Sequence, residues 1–235
     1  MIIFRTNAGQ EGLGHLSRVF SLYKQLNERI KQPEFLFIVN EEAKPYLLNK
    51  DIEEDRIKIS KHYDMKDLVF ICEKNPKLLV IDTYKADSQY IKKLRQNDIK
   101  IALFIDTMEY EDIKVDYLIN GNIYADSTAY KTLLKERKIK YSRGLLGIEY
   151  IILNPSIKKE KDSSKRKKTI TITTGGADPK DLMPVLIQKI NIKSCKRNII
   201  VGPFFTEKQK KKIELLKRER DTLFYAPKTL NKIIT

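Results

Sequence analysis

Runs of apolar, β-branched residues alternate with amphipathic stretches through the first 156 residues. The runs predict strands over 2–6, 35–39, 56–60, 78–82, 100–105 and 116–120, with helical patterns over 16–30, 65–74 and 88–97 between them. In the first helical stretch Leu16, Val19, Phe20, Tyr23, Leu26 and Ile30 recur at three- and four-residue spacing and mark one buried side. Strands alternating with helices of this length read as βαβ units on a parallel sheet, so the fold class is α/β.

The alternation stops at 157–168, a polar, charged and aperiodic segment with the character of a linker. A new unit then opens with a strand over 169–174 and turns through Gly175-Gly176-Ala177. It enters a helix for which Asp178 is a natural N-cap and Pro179 a natural first residue. A strand over 198–201, a helix over 207–219 and a strand over 222–225 complete it. So few strands and helices are short measure for a doubly wound domain, so the second domain is expected to be cut short or to lean on the first. The expected organisation is thus 1–156 as one Rossmann-like domain, 157–168 as linker and 169–235 as a partial second domain.

Charge changes the picture little. The 235 residues carry a formal net charge of +15, but much of the surplus falls in 158–168 and 208–220. The second of these runs alternates with Ile213, Leu215 and Leu216 like the wet face of an ordinary helix. A specific nucleic-acid partner is therefore not expected, whereas a diffuse positive field helps gather an anionic small substrate. No apolar run approaches the length of a membrane span, and the N-terminus enters a strand without a basic leader, so a cytoplasmic location is expected. Cys72 and Cys195 lie far apart with no paired spacing, so neither a disulfide framework nor a metal site is expected.

Chemistry concentrates where the first strand meets the first helix. The loop there reads G-x-x-G-x-G-H from Gly9 to His15, and Gly14 precedes the imidazole directly. Such a turn aims backbone N–H groups and the positive helix end at one spot, which suits an anionic ligand. Arg18, three residues on, shares the edge of His15 and reads as a cation for that anion. The helix end also disfavours charge on the imidazole, leaving His15 able to accept a proton as a general base. The glycine spacing differs from that of the dinucleotide fingerprint, which argues against a nicotinamide enzyme. Other polar residues end strands on the same expected rim: Asp82-Thr83-Tyr84, Asp106, and Asn120-Gly121-Asn122-Ile123-Tyr124. Singly, Asp82 and Asp106 read equally as turn caps, and Asn120 and Asn122 as stabilisers of a left-handed turn; their coincidence on one rim favours a site. His62 lacks metal-ligand neighbours and reads as a surface residue. No pattern of an acyl-transfer hydrolase, zinc enzyme or P-loop ATPase is present.

Five segments occur together in order: Gly12-Leu13-Gly14-His15-Leu16-Ser17-Arg18, Ile81-Asp82-Thr83-Tyr84, 116–124, Gly147-Ile148-Glu149-Tyr150 and Thr174-Gly175-Gly176-Ala177-Asp178. In these the chain resembles the PseG family of UDP-sugar hydrolases of pseudaminic acid synthesis and the related SpsG-type spore-coat polysaccharide proteins. The first segment is shared more widely with MurG-like glycosyltransferases. The resemblance implies a GT-B architecture of two Rossmann-like domains, the sugar held mainly by the first and UDP mainly by the second. It implies hydrolysis of UDP-2,4-diacetamido-2,4,6-trideoxy-β-L-altropyranose with release of UDP, and no cofactor. His15 matches the general base. Gly14, Arg18, Asp82, Tyr84, Asn120 and Asn122 would hold the sugar side, and Gly175, Gly176 and Asp178 the nucleotide. Family members continue past the position of Thr235, so a further segment or a completing partner chain is expected. A glycosyltransferase of the same fold and a catalytically silent sugar-nucleotide-binding protein are the alternative readings.

Overall fold

The computed structural model describes residues 1–10, 12–155, 168–192, 194–227, 230 and 233. The linker expected over 157–168 lies, apart from Lys168, outside the described residues. The chain divides into two compact units, the first comprising 1–7 with 15–153 and the second 8–14 with 154–235.

The first unit contains β1 (Ile2–Thr6), α1 (Gly14–Arg29), β2 (Phe35–Val39), α2 (Lys44–Leu48), β3 (Ile57–Ile59), α3 (Met65–Lys74) and β4 (Leu78–Asp82). There follow α4 (Ser88–Gln96), β5 (Ile101–Phe104), β6 (Lys114–Asn120), α5 (Thr128–Glu136) and β7 (Lys140–Leu146). All seven strands are parallel, in the order β3-β2-β1-β4-β5-β6-β7. The chain moves outward from β1 to β3 and then crosses back to place β4 on the other flank of β1. That reversal creates a switch point beyond the carboxyl ends of β1 and β4, where open α/β sheets bind ligands.

The central strands are buried on both faces, which is why they read as unbroken apolar runs. Ile3, Ile38, Leu79, Ile81, Leu103 and Leu118 pack with Tyr90, Ile91 and Leu94 of α4 in one core. Phe4 stacks on Phe37 at 5.1 Å and meets Tyr23 of α1 edge-on. Arg5 in β1 breaks the apolar rule: it is fully buried. Its guanidinium pairs with Asp67 of α3 at 3.0 Å, donates to the carbonyls of Ile38, Ser60 and His62, and lies 3.8 Å above the Tyr63 ring. Arg5 thereby ties β1 to α3 and to the loop after β3, and losing either charged partner costs about 3–5 kcal/mol.

β7 and α5 go beyond the elements expected from the pattern. β7 is an edge strand whose residues are mostly half-buried or exposed, so it shows no apolar run. α5 starts at Ser127, whose hydroxyl accepts from the Tyr130 N–H, and buries Tyr130 and Leu134 alone.

The second unit contains β8 (Thr169–Thr173), α6 (Leu182–Lys189), β9 (Lys196–Val201), α7 (Glu207–Leu216) and β10 (Asp221–Tyr225), its sheet parallel in the order β10-β9-β8. Its core joins Ile172, Met183, Ile187, Ile199, Val201, Phe205 and Ile213. α6 starts at Leu182, later than the Asp178-Pro179 start expected, because Asp181 is left-handed at φ 49° and the 178–181 segment forms a turn. α7 stops at Leu216 rather than 219, where Lys217 leaves helical geometry at ψ 136°. Gly202 fits because it lacks a side chain: a Cβ there would lie 2.3 Å from the carbonyl oxygens of Gly175 and Gly176. Among the described residues no helix is long and apolar enough to cross a membrane.

Candidate active site

The switch point of the large sheet brings four charged or ionisable side chains into one cluster. Thr6 of β1 pairs with Asp82 of β4 in register, so the first turn of α1 and the end of β4 lie side by side. His15 Nδ1 is 2.6 Å from Asp82 Oδ1, with the imidazole nearly buried and the Asp82 side chain 1% exposed. A carboxylate partner accepts, so Nδ1 is the donor of this pair, and in a ring carrying a single proton Nε2 is then the acceptor. Tyr84 sets its ring against the imidazole at 4.3 Å and 85°, an edge contact that fixes the ring's tilt.

Arg18, one helical turn on, faces the same two strand ends. It donates to Asp82 through Nε and Nη2, both at 2.7 Å, and to Asp106 through Nη1 at 3.0 Å and Nη2 at 2.6 Å. Its guanidinium also lies 4.7 Å over the ring of Phe104. Burial by itself would lower the Arg18 pKa, but hydrogen bonds and charge from Asp82 and Asp106 outweigh it and hold the group above its ordinary value. Arg18 is therefore charged at any working pH. Burial, followed by the Asp106 carboxylate, raises the Tyr84 hydroxyl above the usual phenol value, so it remains a donor.

The rim continues through β6. Asn120 is fully buried: its amide donates to the Tyr130 hydroxyl at 2.8 Å, and its Oδ1 accepts from the Asn122 N–H at 3.0 Å and Nδ2 at 2.8 Å. It stands behind the rim and shapes the turn. Asn122 is exposed, and Tyr124, 47% exposed, donates to the Asp106 carbonyl at 3.2 Å, linking this turn to the charged cluster. The sequence pattern places Asp106 and the β6 turn through Tyr124 on the rim but gives no notice of Phe104. Phe104 lies in an apolar run and reads as core.

In the second unit, Gly175 is exposed at φ +95° with open space where a Cβ would stand, and its N–H donates to Thr173 Oγ1 at 3.1 Å. Gly176 lies close against Leu13, a Cβ there coming within 2.8 Å of the Leu13 nitrogen. Asp178 departs from the nucleotide-contact role. Its side chain accepts from the N–H groups of Leu182 at 3.0 Å and Met183 at 2.7 Å, and the residue is 3% exposed. The carboxylate caps α6 from four and five residues away, so the amino end of that helix already holds an anion. Gly14 opens α1, and nothing lies within 4 Å of where its Cβ would be. Among the described residues no group of three or more His, Cys, Asp or Glu side chains is placed to hold a metal ion.

No protein-family model matches the chain. An uncharacterized protein of Methanocaldococcus jannaschii is 26% identical over 203 residues, an alignment covering 83% of this chain and 40% of that protein. The chain thus spans about two fifths of the length of that relative. Among solved structures, MurG of Acinetobacter baumannii aligns over 95% of this chain and 65% of its own at 12% identity, with a TM-score of 0.42. The lipopolysaccharide outer core galactosyltransferase WaaB, in its apo form, aligns over 100% and 70% at 13% identity, TM-score 0.41. E. coli heptosyltransferase WaaC with ADP aligns over 100% and 77% at 9% identity, TM-score 0.41.

Proposed function

We propose that the protein acts on a nucleotide sugar, with His15 as the general base of a GT-B-type enzyme. The observation that carries this reading is the 2.6 Å His15–Asp82 pair at the switch point of a parallel sheet. The reaction has the following balance. A water O–H gives its proton to His15 Nε2 as the oxygen attacks the anomeric carbon; the bond from that carbon to the diphosphate oxygen breaks, and the nucleoside diphosphate leaves with the electron pair. Asp82 holds the ring and offsets the charge that arrives on it, as the carboxylate of a catalytic triad does. A base so placed supplies about 10²–10⁴-fold in rate.

The motif resemblance supports a UDP-linked diacetamido-trideoxy sugar as substrate and hydrolysis as the outcome. Tyr84, in contact with the base, and Asn122, exposed on the β6 turn, are the side chains to meet the sugar. The same base geometry serves an acceptor hydroxyl in place of water, which makes a glycosyltransferase the second reading. The deciding experiment incubates the protein with UDP-, GDP- and CMP-sugars and follows nucleotide release with and without candidate acceptors. Release of UDP without an acceptor supports the hydrolase; release only with an acceptor supports the transferase. No release from any donor, with or without acceptors, defeats both.

A further inference from the structure

By its sequence spacing, Arg18 is a cation awaiting an anionic substrate. The geometry assigns it elsewhere, and we propose that Arg18 is a positioning residue that holds Asp82 and, through it, keeps His15 in the Nδ1–H tautomer. A guanidinium has five N–H donors. Four of Arg18's hydrogen bonds, at 2.6–3.0 Å, go to Asp82 and Asp106, and Phe104 covers one face of its plane. Asp82 in turn receives three donors, one from His15 and two from Arg18, while its side chain is only 1% exposed. Both of its oxygens are thereby fixed in a plane set by a second, rigid, planar group.

The charge count points the same way. With the imidazole neutral, two carboxylates and one guanidinium leave the cluster at −1; with Nε2 protonated it is neutral. Neither state offers the net positive charge that would draw a diphosphate to Arg18. The excess negative charge instead suits an anomeric centre that turns positive as its leaving group departs. Asp106 completes the arrangement by holding the far side of the guanidinium, so that Arg18 cannot swing away from Asp82 without leaving a second carboxylate unpaired.

The test uses the chain's two histidines, His15 and His62, the latter serving as an internal reference. Nitrogen-15 NMR of the imidazole rings reports the tautomer directly, and titration calorimetry with UDP reports nucleotide affinity. In the wild type His15 is expected as the Nδ1–H form. In Arg18→Gln the Nε2–H form, which free imidazole prefers, is expected to become the majority species, with UDP affinity changed less than tenfold. Arg18→Lys keeps a charge between the carboxylates and so guards against a variant that fails to fold; it loses the planar fork and is expected to give a tautomer mixture. An unchanged Nδ1–H signal in both folded variants overturns the proposal. So does a tenfold or greater loss of UDP affinity, which would return Arg18 to the substrate. The proposal builds on His15 as the base, yet the tautomer readout needs no turnover. Absence of nucleotide release in the wild type would therefore defeat the proposed reaction and leave the positioning role to be judged on the NMR result.

Discussion

At the scale of single residues, the pair His15–Asp82 matters through which ring nitrogen stays open. Asp82→Asn preserves size but presents an amide that can donate as well as accept, so the imidazole is free to turn its Nε2–H form outward and lose its acceptor. Nucleotide release in Asp82→Asn is expected to fall about 10²-fold or more, with His15→Asn falling at least as far. His15 sits at the rim rather than in the apolar core, so its loss opens no core cavity and the His15→Asn thermal melt should stay close to wild type. Rates within threefold of wild type in a folded His15→Asn would remove the imidazole from the mechanism. These roles were legible in the sequence to different degrees. The G-x-G-H-x-x-R spacing announces a base and a cation on one helix edge, but nothing in it says that the cation is already taken, because Asp82 and Asp106 lie 64 and 88 residues away. Partner choice at that separation is settled by strand order, which no local pattern encodes.

At the scale of elements, the buried strands and long helices were readable because burial on both faces forces continuous apolar composition. The edge strand β7 and the nine-residue α5 were not, since each buries too little to leave a periodic trace. Arg197 of β9 shows a related effect in the second unit. It pairs in register with Asp221 of β10, bonding it at 2.7 and 2.5 Å, while its Nη1 donates to the carbonyls of Ile187 and Ile190 at the end of α6. Burial would raise the Asp221 pKa, but the hydrogen bonds and charge of Arg197 and the Arg218 N–H outweigh it and hold the carboxyl below its usual range. The folded value lies below the unfolded one, so this group's contribution is fully present above about pH 3.9 and fades as pH falls through the folded value. Asp221→Ala, which strands a buried guanidinium, is expected to cost about 3–5 kcal/mol at pH 7. Chemical denaturation at several pH values checks this: the gap between variant and wild type should narrow below about pH 4. A gap that stays constant down to pH 2 would contradict the assignment.

At the scale of the whole molecule, the +15 charge and the −1 cluster belong to different steps. On the proposed reading the diffuse field would speed the approach of an anionic donor, whereas the cluster would act only on the bound sugar. Raising ionic strength from about 20 to 200 mM shortens the screening length severalfold, so kcat/KM is expected to fall while kcat holds. A drop confined to kcat would place the charge effect in the reaction itself. The two rim carboxylates that a divalent cation would bridge are already bridged by Arg18. Nucleotide release is accordingly expected to persist in EDTA; loss of activity with recovery on adding Mg²⁺ or Mn²⁺ would reveal a site of a different make-up.

Asp178 has a consequence best put as competition. A carboxylate tethered four residues from the amino end of α6 is present there at an effective concentration in the millimolar range or above. A phosphate arriving from solution must displace it, so in the native chain that helix end is occupied by an internal counter-ion. Asp178→Ala would vacate it, at a cost of about 0.5–2 kcal/mol for the lost cap. The variant should then regain stability as inorganic phosphate is added, over a concentration range in which the melting temperature of the wild type stays flat. The native protein would thus owe its indifference to phosphate at this point to one side chain that arrives first.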